Sequence, residues 1–99
     1  GYASLEAIVA TKPEVVKIDR HIVNELGKDS FKRSIVKFIV AFCKENSILS
    51  VAEGIERKED LQILIELGVD AGQGYYLSKP SSAINFRKGV KVNFLPGLG

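Results

Sequence analysis

Two short runs decide how this chain folds: Val15-Val16-Lys17-Ile18-Asp19 and Ile48-Leu49-Ser50-Val51-Ala52-Glu53. Each is an apolar, β-branched stretch of strand length that ends in charge. Between them Phe31, Ile35, Phe38, Ile39 and Phe42 recur at spacings of three and four, which predicts a helix from Ser30, its expected N-cap, to about Glu45. A strand, a helix of that length and a second strand imply parallel pairing through a right-handed crossover.

The same alternation continues on both sides. Before the first run, Ser4 to Ala10 reads as a helix with Ser4 as N-cap and Leu5, Ile8 and Val9 on one face, stopped by Pro13. After the second run, Leu61, Leu64, Ile65 and Leu67 mark another amphipathic helix, and Gly68 is placed to end it in a left-handed conformation. Ala71 to Leu77 reads as a third strand, rich in glycine and tyrosine, and Ser81 or Ser82 as the cap of a last short helix through Phe86. The stretch 89–99 reads as a tail, with Pro96-Gly97 as a turn or frayed end. The expected fold is therefore α/β, with three βα units, parallel strands and helices on one face. A (β/α)8 barrel takes about 250 residues, so 99 residues make either part of a barrel or a small open α/β domain. The start at Gly1, without methionine, reads like a piece of something longer.

Composition narrows the function classes. Hydrophobic residues make up 45% and charged residues 26%, as in an ordinary globular domain. Fourteen basic and twelve acidic residues leave a formal charge of +2. The basic residues are scattered rather than gathered between aromatics, so no DNA or RNA polymer is expected as a partner. The longest apolar stretch, Ile35 to Cys43, is interrupted by Lys37 and is too short to span a bilayer. With no signal-peptide pattern at Gly1-Tyr2-Ala3-Ser4, a cytoplasmic protein without membrane contact is the expectation. Cys43, the only cysteine, sits in a helical apolar pattern and reads as a buried thiol.

Polar residues gather at the C-terminal ends of the expected strands: Lys17 and Asp19, then Glu53 and Glu56, then Gln73. In barrels and open α/β sheets that edge is where ligands bind. Lys17 and Asp19, two apart on a strand, point to one side, away from Val16 and Ile18. They can hold a water or phosphate oxygen and a cation, or form a structural ion pair. Glu53 at a strand tip can serve as a hard-metal ligand or open a solvated helix with Glu56, and Gly54 allows a tight turn between them. Gln73 between Gly72 and Gly74 suggests close approach of backbone and ligand, or an edge strand weakened by glycine. His21, the only histidine, has no Ser or Cys pattern around it and reads as a surface residue. No phosphate-cradling Gly-x-x-x-x-Gly-Lys run and no Cys/His zinc cluster occurs.

Three blocks in order, Lys17-Ile18-Asp19-Arg20, Val51-Ala52-Glu53-Gly54-Ile55-Glu56 and Gln73-Gly74-Tyr75-Tyr76-Leu77-Ser78-Lys79-Pro80, closely resemble the last signature blocks of the EAL domain. Gly1-Tyr2-Ala3-Ser4-Leu5 resembles the family's segment just after its paired aspartates. The resemblance runs to about residue 86 and implies the C-terminal portion of an EAL domain over residues 1–88, with 89–99 as tail. It implies a partial TIM barrel that hydrolyses cyclic di-GMP to the linear dinucleotide with two Mg²⁺ or Mn²⁺ ions. By the same resemblance Lys17 would hold the attacking water and the phosphate, and Asp19 would support it or the second metal. Glu53 would serve that metal, Gln73 would bind near the water or phosphate, and Glu56 would fix the loops of the site.

The sequence also departs from the family pattern. The Glu-Ala-Leu motif, the Asn and Glu ligands and the paired aspartates belong to the part of the barrel before Gly1. Arg57 stands where the family often has Thr, which removes an N-cap. Three readings follow: a portion of a phosphodiesterase, inactive alone; a degenerate EAL domain that binds cyclic di-GMP or a protein partner; or a separate interaction module. Open sheet edges would favour self-association or pairing with the remaining half of the barrel.

Overall fold

The computed structural model describes residues 5–74, 82–86 and 90–93. Helix α1 spans Leu5–Thr11, strand β1 Val15–Ile18, α2 Arg20–Val23, α3 Ser30–Glu45, β2 Leu49–Ala52, α4 Lys58–Leu67 and β3 Ala71–Gly72, followed by β4 Ser82–Asn85 and β5 Val90–Asn93. A short 3-10 turn, Leu26–Lys28, lies between α2 and α3. The five strands form one sheet in chain order. The first three run parallel, with Val15 opposite Leu49 and Val51 opposite Ala71. The expected parallel core of a partial barrel is thus present.

The two faces of the sheet carry different clusters. On the helix side Ile18 and Ala52 join Val23, Leu26, Val36, Val40, Ile55, Leu64 and Val69 in the main core. On the other side Val51 and Ala71 pack with Val15 and Leu49. The strand period of two explains the split, because adjacent residues of β1 and β2 must face opposite ways.

Helix α3 corrects two expectations. Its N-cap is Asp29, whose carboxylate accepts the Lys32 N–H at 3.1 Å, one residue before the expected Ser30. Its buried stripe is Val36, Val40 and Cys43, whereas Phe31 and Phe38 are 74% and 72% exposed. Both sets satisfy helical periodicity, so the pattern alone does not choose between them, and the smaller side chains are the ones that fit against the sheet. Cys43 is buried as expected, and burial pushes its thiol pKa up.

Beyond β3 the chain departs from the expected helix. Ser82–Asn85 is a strand, antiparallel to β3, because its backbone donors and acceptors pair across the sheet instead of along a helix. Val90–Asn93, inside the stretch read as tail, is a further antiparallel strand on β4. Of the expected third strand, Ala71 and Gly72 are in the sheet, and Tyr75 to Leu77 lie outside the described residues. The Ser4 cap expected for α1 lies outside the described residues, while α1 ends before Pro13 and Gly68 closes α4 with φ +93°. No helix of the described residues is long and apolar enough to cross a membrane.

One buried carboxylate ties the helix layer together. Asp60, 1% exposed, sits in the first turn of α4 and accepts the main-chain N–H groups of Glu25 (3.1 Å) and Leu26 (3.0 Å). Glu25 has a left-handed backbone, φ +63°, which costs a non-glycine residue about 1 kcal/mol. The Arg33 guanidinium donates to the Leu26 carbonyl and the Lys32 ammonium to that of Asn24, so the loop is held from α3 as well. Removing the acceptors leaves one buried and one part-buried donor unpaired, so Asp60→Ala should lower stability by about 2–4 kcal/mol. Asp60→Asn keeps one acceptor oxygen and should cost less. Urea denaturation of the three proteins checks the order, and equal stabilities would refute the clamp.

Candidate functional site

The strand tips are stacked by main-chain bonds. Glu53 N–H donates to the Ile18 carbonyl at 2.9 Å, Gln73 N–H to that of Ala52 at 2.9 Å, and Ile55 N–H to that of Gln73 at 3.0 Å. These bonds set the residues following β1, β2 and β3 side by side at one edge. Ile55, fully buried, anchors the loop between Glu53 and Arg57 in the core.

Gly54 makes the close approach possible. Its φ is +67°, and a Cβ there would lie 2.5 Å from the Arg20 Cβ, so the loop after β2 rests directly on the start of α2. The glycines around Gln73 serve packing within the protein. A side chain on Gly72 would meet the Phe86 ring and Ile55, and one on Gly74 would meet the Ile55 backbone. At these two glycines the close approach is one of backbone to backbone and core.

Lys17 lies on the sheet face away from the helices, as the alternation with Ile18 requires. Its ammonium is 3.3 Å from the Glu53 carboxylate of the next strand, with the two side chains 29% and 31% exposed. That exposure leaves the pair within reach of a ligand. Gln73 is half-buried at the third tip, and Glu56 stands exposed on the loop leading to α4.

Asp19 is directed elsewhere. It is the N-cap of α2: its carboxylate accepts the His21 main-chain N–H at 2.8 Å and lies 2.7 Å from His21 Nδ1. The main-chain N–H, then the His21 side chain, hold the Asp19 pKa below the ordinary carboxylate value. His21 is a surface residue, as read, but the sequence reasoning missed this contact. The signal was available: an N-cap acid with a histidine two positions later brings the imidazole back over the cap. At the start of α4, Arg57 makes no side-chain cap and its guanidinium reaches Glu25 at 3.3 Å, consistent with a lost cap.

The chain as described gathers Lys17, Glu53 and Gln73 at one sheet edge and brings Glu56 to the loop beside them, while Asp19 faces His21. A cleft of about 410 Å³ between α1 and α3, lined by Ile8, Val9, Phe42 and Ile48 among others, lies toward the opposite end of the strands. Among the described residues no three His, Cys, Asp or Glu side chains converge as a metal site would require.

Residues 1–80 match the EAL domain family. The chain belongs to that family. It is 37% identical over 83 residues to MucR of Pseudomonas aeruginosa, a bifunctional diguanylate cyclase/cyclic di-GMP phosphodiesterase, covering 84% of this chain and 12% of MucR. It is 29% identical over 91 residues to the cyclic di-GMP phosphodiesterase PdeR of Escherichia coli, covering 92% of this chain and 14% of PdeR. Among solved structures, the manganese/cyclic di-GMP complex of BlrP1 from Klebsiella pneumoniae superposes with a TM-score of 0.75 at 31% identity, covering 81% of this chain and 20% of BlrP1. A standalone EAL protein from Vibrio cholerae bound to cyclic di-GMP gives a TM-score of 0.75 at 30% identity, covering 81% of this chain and 34% of that one. This chain therefore spans a small part of the length of the relatives it matches.

The Asp19 cap yields a pH test. The cap contribution is present while the carboxylate is ionised and is lost as pH falls through its lowered pKa. In an NMR titration of the side-chain carboxyl carbon, Asp19 should titrate below the ordinary Asp value. His21→Ala should raise it only part of the way back, because the main-chain N–H, the larger cause, survives the substitution. Full recovery, or none, would refute this division.

Proposed function

We propose that this chain is the C-terminal part of an EAL domain that hydrolyses cyclic di-GMP, and that it does not complete the site by itself. The observation that carries the reading is the Lys17–Glu53 contact at adjacent parallel strand tips, with Gln73 at the third. A fixed ammonium at a strand tip suits a phosphate oxygen and the water that attacks phosphorus. Glu53 holds the lysine in place and offers a carboxylate to a divalent cation, while Gln73 can donate and accept with one amide. Asp19 supports the first strand tip through its cap on α2. Glu56 extends from the loop that Gly54 and Ile55 fix.

A divalent cation fits these donors in kind, since Mg²⁺ and Mn²⁺ prefer oxygen. It does not fit them in number. Each ion of a two-metal site needs several oxygens, and Glu53 with Asp19 falls short. The remaining ligands of the family pattern belong to the earlier part of the barrel.

Two measurements test the reading. Residues 1–80 replacing the matching stretch of MucR should leave hydrolysis of cyclic di-GMP intact. Lys17→Ala or Glu53→Ala in that graft should then reduce turnover at least about a hundredfold. A folded graft that binds cyclic di-GMP without hydrolysing it would instead support the degenerate, ligand-binding reading. The 99-residue chain alone, with Mn²⁺, should show no enzymatic turnover. Robust hydrolysis abolished by Glu53→Ala would overturn the claim that it lacks a complete site.

A further inference from the structure

Helix α3 has two apolar faces, and the fold uses one of them. Val36, Val40 and Cys43 turn to the sheet and are buried. Phe31, Ile35, Phe38 and Phe42 follow one another at spacings of four, three and four, the a/d repeat of a helix-pairing seam. Phe31 and Phe38 stand open to solvent and Ile35 is half-buried. Phe42, 37% exposed, carries the strip into the cleft beside Val9, itself 70% exposed. A single apolar side chain on a surface needs no explanation, but a continuous strip marks an interaction surface. We propose that this seam pairs, antiparallel, with α3 of a second copy of the chain.

Three observations select that occupant. First, the rest of a barrel does not reach the seam. It would join at the free sides of the sheet, whereas α3 crosses between β1 and β2, which pair with each other. Helix α1 flanks α3 across the cleft, and α4 flanks it on the other side, where Lys44 lies against Gly68. Second, the spacing reads the same from either end. An antiparallel copy sets Phe31 opposite Phe42 and Ile35 opposite Phe38, so the surface complements itself, as a twofold interface requires. Third, charge chooses the direction. Ser34 and Ala41, small and exposed, border the seam without charge, and its exposed ends carry opposite signs: Lys28 just before α3, and Glu45 on the seam face seven residues after Phe38. The Asp29 carboxylate is taken by its own cap. Antiparallel copies bring each Glu45 toward Lys28 and the α3 N-terminus of the other copy, where negative charge is favoured, and parallel copies would bring like charges together. The three rings offer roughly 300–450 Å² per copy, about half of one side of a standard interface, so the pair is a weak dimer in equilibrium with monomer. Helix α3 runs back along the sheet, so this pairing points the two Lys17–Glu53 edges to opposite ends and covers neither. The inference does not rest on the proposed activity.

Sedimentation equilibrium of the full 99-residue chain tests the pairing. From about 10 µM to about 1 mM the average mass should rise from monomer toward dimer, as an interface of this size allows. Phe38→Glu, at an exposed position that leaves the core untouched, should weaken association at least about tenfold. Lys28→Glu or Glu45→Lys alone should weaken it about threefold, and the two together should restore it, since the double variant only exchanges the signs of each pair. A chain that stays monomeric throughout would overturn the proposal and leave the seam to a partner of another kind. So would association that Phe38→Glu leaves unchanged, as pairing through the open side of β1 would give. If circular dichroism shows that Phe38→Glu does not fold, the charge variants decide: a double variant that associates no better than the single ones overturns the antiparallel pair.

Discussion

The tips of β2 and β3 are each hydrogen-bonded to the strand before, and the rest of the arrangement depends on that stagger. The Glu53 amide reaches back to Ile18, the Gln73 amide to Ala52, and the Ile55 amide to Gln73. Because parallel strands cannot slip without breaking this series, the candidate side chains keep their order across the edge. Lys17 and Glu53 meet because one main-chain bond places Glu53 just past the last paired residue of β2. A shift of one residue would turn the carboxylate to the helix side, where Ile18, Val36 and Leu64 form the core, and would turn Ala52 away from it.

Much of this was legible in the residues. β-branched runs ending in charge located the parallel strands, and the polar tips at 17, 53 and 73 named the edge where they gather. The direction of Asp19 was not legible, because an N-cap bond is made to the residue's own local turn and competes with any longer reach. The stripe read for α3 is only partly turned to the core, Ile39 packing there while Phe31 and Phe38 face out, for a related reason: periodicity reports that a face is apolar, and two faces of α3 are. The strands after β3 were missed because Ser82 looks like a helix cap and edge strands carry weak patterns. Their partner, Ala71–Gly72, is only two residues long, so pairing there is decided by tertiary contact rather than local preference.

The glycines show how tightly the edge at Lys17, Glu53 and Gln73 is built. Gly54 lies against Arg20 and Gly74 against the Ile55 backbone. Contacts of this kind leave no slack between the three tips, so the geometry around the Lys17–Glu53 pair is inherited from main chain rather than from flexible side chains. Such preorganisation is what a site acting on a phosphodiester would require of its scaffold.

The clamp at Asp60 also orders events in time. It joins Leu26 to a residue 34 positions later, whereas the bonds from Lys32 and Arg33 to the Asn24 and Leu26 carbonyls come from within eight positions. The turn can be made early and held from α3, but the Glu25 and Leu26 amides find their acceptor only when the beginning of α4 arrives. Val15 and Leu49 are likewise paired across 34 positions. Contacts of such long sequence separation slow folding, since the intervening chain must be gathered before it is rewarded. On a ribosome the first strand and its loop must therefore wait, exposed, for a stretch of polypeptide that has not yet been translated.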